Sequence, residues 1–243
     1  MTNRSPLAPK VLKGAFIRLD VTGIGPVPQV IGFQYNPESL TRKLKPYEQP
    51  PDKEADPLNP AARVAPYDPE EEMDVVIAFD AIDDLEEPAL HPQTVLTGVA
   101  DRIAALEMLM YPTITPGLLT SAVGAIAGAL GAATDTVPDK AELPVVLFAW
   151  GPGRILPVKI SSFTVEEQAF NSALYPIRAK VTVGIRVLTE DYFRSKLAKE
   201  TDPLPPAESI ACAAYRAATT QKKVLAATSV ASGVASLLAT LPF

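Results

Sequence analysis

Ile177-Arg178-Ala179-Lys180-Val181-Thr182-Val183-Gly184-Ile185-Arg186-Val187 is the stretch that decides the fold. Apolar residues at 177, 179, 181, 183, 185 and 187 alternate without a break against Arg178, Lys180, Thr182, Gly184 and Arg186. A period of two describes a β-strand with one apolar face and one wet, basic face. Upstream, Val146-Leu-Phe-Ala-Trp150-Gly151 and the segment Arg154 to Glu166 read as strands of their own. With Phe170 to Val187 they make three consecutive antiparallel strands. Gly151-Pro152-Gly153-Arg154 falls where a hairpin turn is needed.

Outward from this core the same logic extends to the amino-terminal half. Lys13 to Thr22 places Ala15, Ile17, Leu19 and Val21 on one face, and Gln29 to Asn36 does the same with Ile31, Phe33 and Tyr35. Gly23, Gly25 and Pro26 lie at the turn between them. Met73 to Ile82 alternates again, with Val75, Ile77 and Phe79 on one side. From Pro92 to Met110 the apolar step changes to three and four. Leu96, Val99, Ile103, Leu106 and Met110 form one stripe, which predicts a helix packed on the sheet, with Pro92 in its first turn.

Between these elements lie segments of different character. Residues 43–72 are polar and rich in proline, an insert too long for an ordinary loop; it either reaches a neighbouring subunit or makes an ordered surface excursion. Residues 112–140 contain an apolar run, Leu118 to Ala133, with Gly124 and Gly128 spaced for close helix packing. Pro112, Pro116 and Gly117 confine it to about 16 residues, short of the about 20 that span a bilayer. After a short charged helix at Glu190 to Lys199 and a linker at Asp202 to Pro206, an Ala-rich helical tail follows. The expected division is a β domain over 1–200 and a linker with helical tail over 201–243.

The chain has 243 residues, 47% hydrophobic and 21% charged, enough for one sizeable core. A net charge of -6 argues against a nucleic-acid ligand, which draws on concentrated cationic surface. One cysteine, Cys212, excludes an intramolecular disulfide, and the start Met1-Thr-Asn-Arg-Ser-Pro shows no secretory signal. The expected location is the bacterial cytoplasm.

Chemistry finds little footing. The single histidine, His91, precedes Pro92 at a helix start without the partners that a triad or metal site needs. Cys212 sits in an Ala-rich stretch and reads as an unreactive small apolar residue. Neither Gly23-Ile-Gly25-Pro26 nor Gly151-Pro-Gly153-Arg154 joins a strand to a helix as a phosphate loop does. The acidic runs Glu70 to Glu72 and Asp83 to Glu87 lack the calcium-loop pattern and read as solvated flanks. The expectation is a non-enzyme with no catalytic residue, no metal and no cofactor.

A family resemblance rests on residues spread through the chain. Phe33, Gln34, Tyr35, Asn36 and Pro37 with Leu40, Thr41 and Arg42, then Phe79-Asp80, Leu106-Glu107 and Pro112, then Trp150-Gly151, Phe163-Thr164, Phe170, Pro176, Arg178 and Ala179 follow in order. Together they resemble the tube-like adaptor proteins of contractile injection systems, covering roughly residues 10 to 190. Many relatives end in a LysM module, where this chain carries its Ala-rich tail.

Beside the apolar helical insertion and helical tail read from this chain's own residues, the resemblance implies a mainly β fold: an antiparallel barrel or two-sheet sandwich with one packed helix. It implies a structural adaptor or tube-initiating ring at a baseplate, a hexameric homo-oligomer that joins the central spike protein to the inner tube protein. Arg178, Lys180 and Arg186 would then line a channel, meet an acidic neighbour or form an ordinary wet sheet face. Trp150 reads as a core anchor ahead of an interface residue. Two alternatives stay open. One is the inner tube protomer itself; the other, from a different class, is a membrane-associated or pore-forming protein, motivated by two apolar segments, Leu118 to Ala133 and the uncharged run Val224 to Phe243.

Overall fold

The computed structural model describes residues 12–22, 25–46, 68–112, 143–197 and 202–240. Seven strands form one antiparallel sheet: β1 (Ala15–Thr22), β2 (Gly25–Gly32), β3 (Leu40–Lys45), β4 (Glu70–Asp80), β5 (Val145–Ala149), β6 (Ile155–Phe170) and β7 (Pro176–Val187). Their order across the sheet is β2-β1-β5-β6-β7-β4-β3. The helices are α1 (Ile82–Glu86), α2 (Pro92–Thr97), α3 (Ala100–Glu107), α4 (Glu190–Arg194) and α5 (Pro206–Thr240). The fold is thus mainly β with helical additions. Among the described residues its backbone pairing does not close into a barrel, for β2 and β3 are both edges.

The sheet is nevertheless rolled. Ile31 of β2 and Leu40 of β3, from opposite edges, pack against the same buried cluster. In a flat sheet five strand spacings would separate β2 from β4 by about 24 Å. Yet the side chain of Gln34, just beyond β2, hydrogen-bonds the backbone of Asp80 at the end of β4. The inner face joins Phe16 of β1, Phe148 of β5, Val75 and Ile77 of β4 and Val181, Val183 and Ile185 of β7 with Ile103, Leu106 and Leu109 from α3 and the turn that follows it. Burying side chains of this size stabilises by about 1.5–3 kcal/mol each. Phe16 packs edge-on to Phe33, with ring centres 5.5 Å apart, and Trp150 stacks on Phe148 at 5.9 Å.

A second, smaller cluster lies on the other face. Leu19 and Leu147 project there because their strands alternate, and Leu188, Phe193 of α4 and Ala207, Ala211 and Cys212 of α5 cover them. Phe16 and Phe148 are thus covered on one face of β1 and β5, and Leu19 and Leu147 on the other.

Several sequence expectations change. The predicted helix from Pro92 to Met110 is two helices, broken at Gly98. This residue has φ +57, and a Cβ there would overlap the Pro176 carbonyl oxygen. That oxygen accepts the Val99 N–H at 2.8 Å, which brings the chain against β7 and turns Leu96 outward, 68% exposed. The expected insert at 43–72 is shorter at both ends, since Lys43 to Lys45 belong to β3 and Glu70 to Glu72 to β4. Glu71 is buried, so the run is not simply a solvated flank. β6 reaches Phe170, and β7 begins only at Pro176. A register shift between Ile160 and Ser162 marks a bulge in β6. Gly184 lies opposite, where a Cβ would strike the Ser162 hydroxyl. The apolar insertion expected at 112–140 lies, beyond Pro112, outside the described residues. The helical tail packs on the sheet through Ala207, Ala211, Cys212 and Ala218, whereas Val224, Leu225 and Val230 are exposed.

Candidate assembly surfaces

The Asn-Pro motif turns out to fasten the fold from within. Phe33 is fully buried, and its N–H donates to the Gly14 carbonyl at 2.9 Å. Asn36 continues this pairing with its side chain: Oδ1 accepts the Gly14 N–H at 2.8 Å, and Nδ2 donates to the Leu12 carbonyl at 2.7 Å. An amide offers one donor edge and one acceptor edge, as a peptide unit does. Tyr35 is exposed and Pro37 half-buried. Trp150 is a half-buried member of the aromatic cluster, and Gly151 opens the β5–β6 hairpin with φ +79. The Trp150 N–H donates to the Arg154 carbonyl at 2.8 Å across that turn.

Arg178, Lys180 and Arg186 project away from the core, as their alternation predicts. They do not form a bare cationic stripe. Nε of Arg178 lies 2.9 Å from Asp80 and Nη2 of Arg186 lies 3.3 Å from Glu72, both on β4. Lys180 is paired across the ladder with Ala78 and Glu166. Lys43 and Lys45 of β3 reach Asp74 and Glu72 at 3.3 and 3.6 Å. The outer face of β3, β4 and β7 is a ladder of mixed charge. Exposed pairs of this kind stabilise by about 0–1 kcal/mol each, so their effect is to set register and surface pattern.

The two edges carry the marks of controlled edge strands. β2 contains Pro26 and Pro28, which lack N–H donors, and β3 is Leu-Thr-Arg-Lys-Leu-Lys, exposed along nearly its whole length. Prolines and lysines there oppose indiscriminate strand addition. Phe170 and Pro176 flank the β6–β7 turn; Phe170 is half exposed and Pro176 buried.

Sequence reading missed the clamps that hold α5. Glu71 shares the parity of Met73 and Val75, so its carboxylate enters the inner face, where Arg42 and Lys222 each approach to 2.6 Å. Burial pushes its pKa up, but the hydrogen bonds and charges of Lys222 and Arg42 outweigh this and hold it below the ordinary value. That parity was the available signal. Glu190 is bound by Arg216 and Arg194, and these hydrogen bonds lower its pKa to about 2. The Tyr215 hydroxyl donates to Asp68 at 2.8 Å, and burial together with that carboxylate pushes its pKa up. Gln221 Nε2 donates to the Pro152 carbonyl at 3.3 Å.

Cys212 is buried, and burial raises its thiol pKa, which opposes thiolate chemistry. His91 stands at the start of α2 with Nδ1 4.0 Å from Asp84. Among the described residues no three His, Cys, Asp or Glu side chains gather as a metal site, and no helix is long and apolar enough to cross a membrane. No known protein family matches the sequence, and no curated protein matches it.

Proposed function

We propose that the chain is a structural ring component of a contractile injection system, an adaptor or tube-initiating layer that joins the central spike to the inner tube. The observation that carries this reading is a rolled antiparallel sheet left open between two guarded edges, β2 and β3. Neighbouring copies would complete the open edges, so that a barrel-like wall closes at the level of a hexameric ring. The ordered motifs from Phe33 to Arg178 support the same assignment. The reading carries no cofactor and no reaction. It places the chain in the bacterial cytoplasm, within an assembled phage-tail-like particle.

The projecting half of α5 favours an adaptor over the inner tube protomer. A protomer stacked in many layers leaves little room for a helix with exposed Val224, Leu225 and Val230. Electron microscopy of particles purified through a tag on this chain tests the reading. Rings or baseplates containing spike and tube proteins are the expected result. A chain that elutes alone as a monomer, with normal particle assembly in a deletion strain, would overturn it.

A further inference from the structure

The end of the sheet where β4 finishes and β7 begins presents an apolar tip. Phe170, Leu174 and Tyr175 of the β6–β7 turn are 50%, 79% and 43% exposed, and Leu90 and Leu96 beside α2 are 66% and 68% exposed. Asn171 Nδ2, 3.4 Å from the Leu96 carbonyl, links the turn to α2.

The turn is held tightly for one that displays so much apolar surface. Asn171 exchanges backbone bonds with Tyr175 and Leu174, and its Oδ1 accepts the N–H groups of Ala173 and Tyr175, both at 2.9 Å. Leu174 sits within this turn at φ 64, and Ala169, before it in β6, at φ 50, left-handed conformations that cost a non-glycine residue about 1 kcal/mol or more. A strained leucine held out in water by a built turn points to a contact made elsewhere, and the ordering cost of that contact is met in advance.

The charge around the tip defines the partner. Segments 82–97 and 160–177 contain Asp83, Asp84, Glu86, Glu87, Glu166 and Glu167 and no lysine or arginine. Of the cations flanking these segments, Arg102 binds Asp84 and Arg178 binds Asp80, while Lys180 stands opposite Glu166 in the ladder and Lys159 lies toward the far end of β6. Two copies meeting tip to tip would bring like charges together. We propose that this tip, centred on Leu174, docks a different protein whose contact face is apolar and edged with lysine or arginine. The apolar area supplies the affinity and the acidic rim the orientation and selectivity. The proposal stands apart from the ring reading, because a chain outside any phage-tail-like particle would still use this surface.

Photo-crosslinking of the full chain in its native host tests it, with Leu174→p-benzoylphenylalanine as the probe and Val224→p-benzoylphenylalanine as the control. The expected result is an adduct at 174, absent at 224, whose linked peptide comes from another protein and carries lysine or arginine beside apolar residues. Adding Glu87→Lys and Glu167→Lys should reduce its yield roughly tenfold through charge repulsion, with the melting temperature unchanged. No adduct at 174, an adduct to a second copy, a linked peptide without basic residues, or a yield indifferent to charge reversal would each overturn the proposal.

Discussion

Gln34 and Asp80 bond to each other twice: Nε2 of Gln34 donates to the Asp80 carbonyl at 2.7 Å, and the Asp80 N–H donates to Oε1 at 3.0 Å. One side chain thereby reproduces a ladder pair between the exit of β2 and the end of β4, which among the described residues are not joined by strand pairing. Arg102 donates to the same Oε1 at 2.8 Å and fixes the amide from the helical side.

Gln34→Leu should therefore leave two part-buried backbone groups of Asp80 unpaired and reduce stability by about 1–3 kcal/mol. Urea unfolding would show this as a lower midpoint at unchanged slope. An unchanged midpoint would mean that the pair does not hold the roll.

Gly98→Ala tests the break between α2 and α3. The backbone at φ 57, ψ -123 lies outside the regions an alanine ordinarily adopts and costs it about 1–3 kcal/mol, and overlap with the Pro176 carbonyl adds to it. Thermal denaturation should show a clear loss of stability, with wild-type behaviour for Gly32→Ala, where a Cβ meets nothing.

The facing of β7 predicts a contrast. Val183 is fully buried, and Val183→Asp strands a carboxylate there at a cost of several kcal/mol, enough to prevent folding. Arg186→Ala removes one exposed pair with Glu72 and should change stability by less than about 1 kcal/mol. Equal damage in circular dichroism melts of the two variants would contradict the assignment.

Glu190 makes the docking of α5 dependent on acid. Its pKa is lowered from 4.5 to about 2 in the folded chain, so its contribution is complete above about 4.5 and disappears as pH falls through about 2. Solvent screening of the exposed Arg216 keeps that contribution small. The stability difference between wild type and Glu190→Gln, measured by urea unfolding, should shrink across this window and stay constant above it.

Ending the chain at Pro206 removes the cover over Leu19, Leu147, Leu188 and Phe193. Binding of a dye that reports apolar surface should rise while the strand signal in circular dichroism persists. Unchanged dye binding would show that the helix contributes no cover.

What the sequence determined by itself was the local alternation. The faces of β7 and β4, the hairpin at Gly151 to Arg154 and the apolar stripe through Val99, Ile103 and Leu106 follow from neighbours in the chain, because the period of a strand or helix is set by consecutive residues. Strand β3 escaped this reading because Leu-Thr-Arg-Lys-Leu-Lys is an edge, exposed on both sides, and an edge strand has no need to alternate. The tertiary structure alone decided the strand order, the two open edges and the pairing of charges. Arg178 and Arg186 looked like a free basic row, yet their partners Asp80 and Glu72 lie 98 and 114 positions away on β4. Glu71 likewise became a clamp only when β3 supplied Arg42 and α5 supplied Lys222. Such contacts depend on which faces meet when the sheet rolls, and no local pattern encodes that choice.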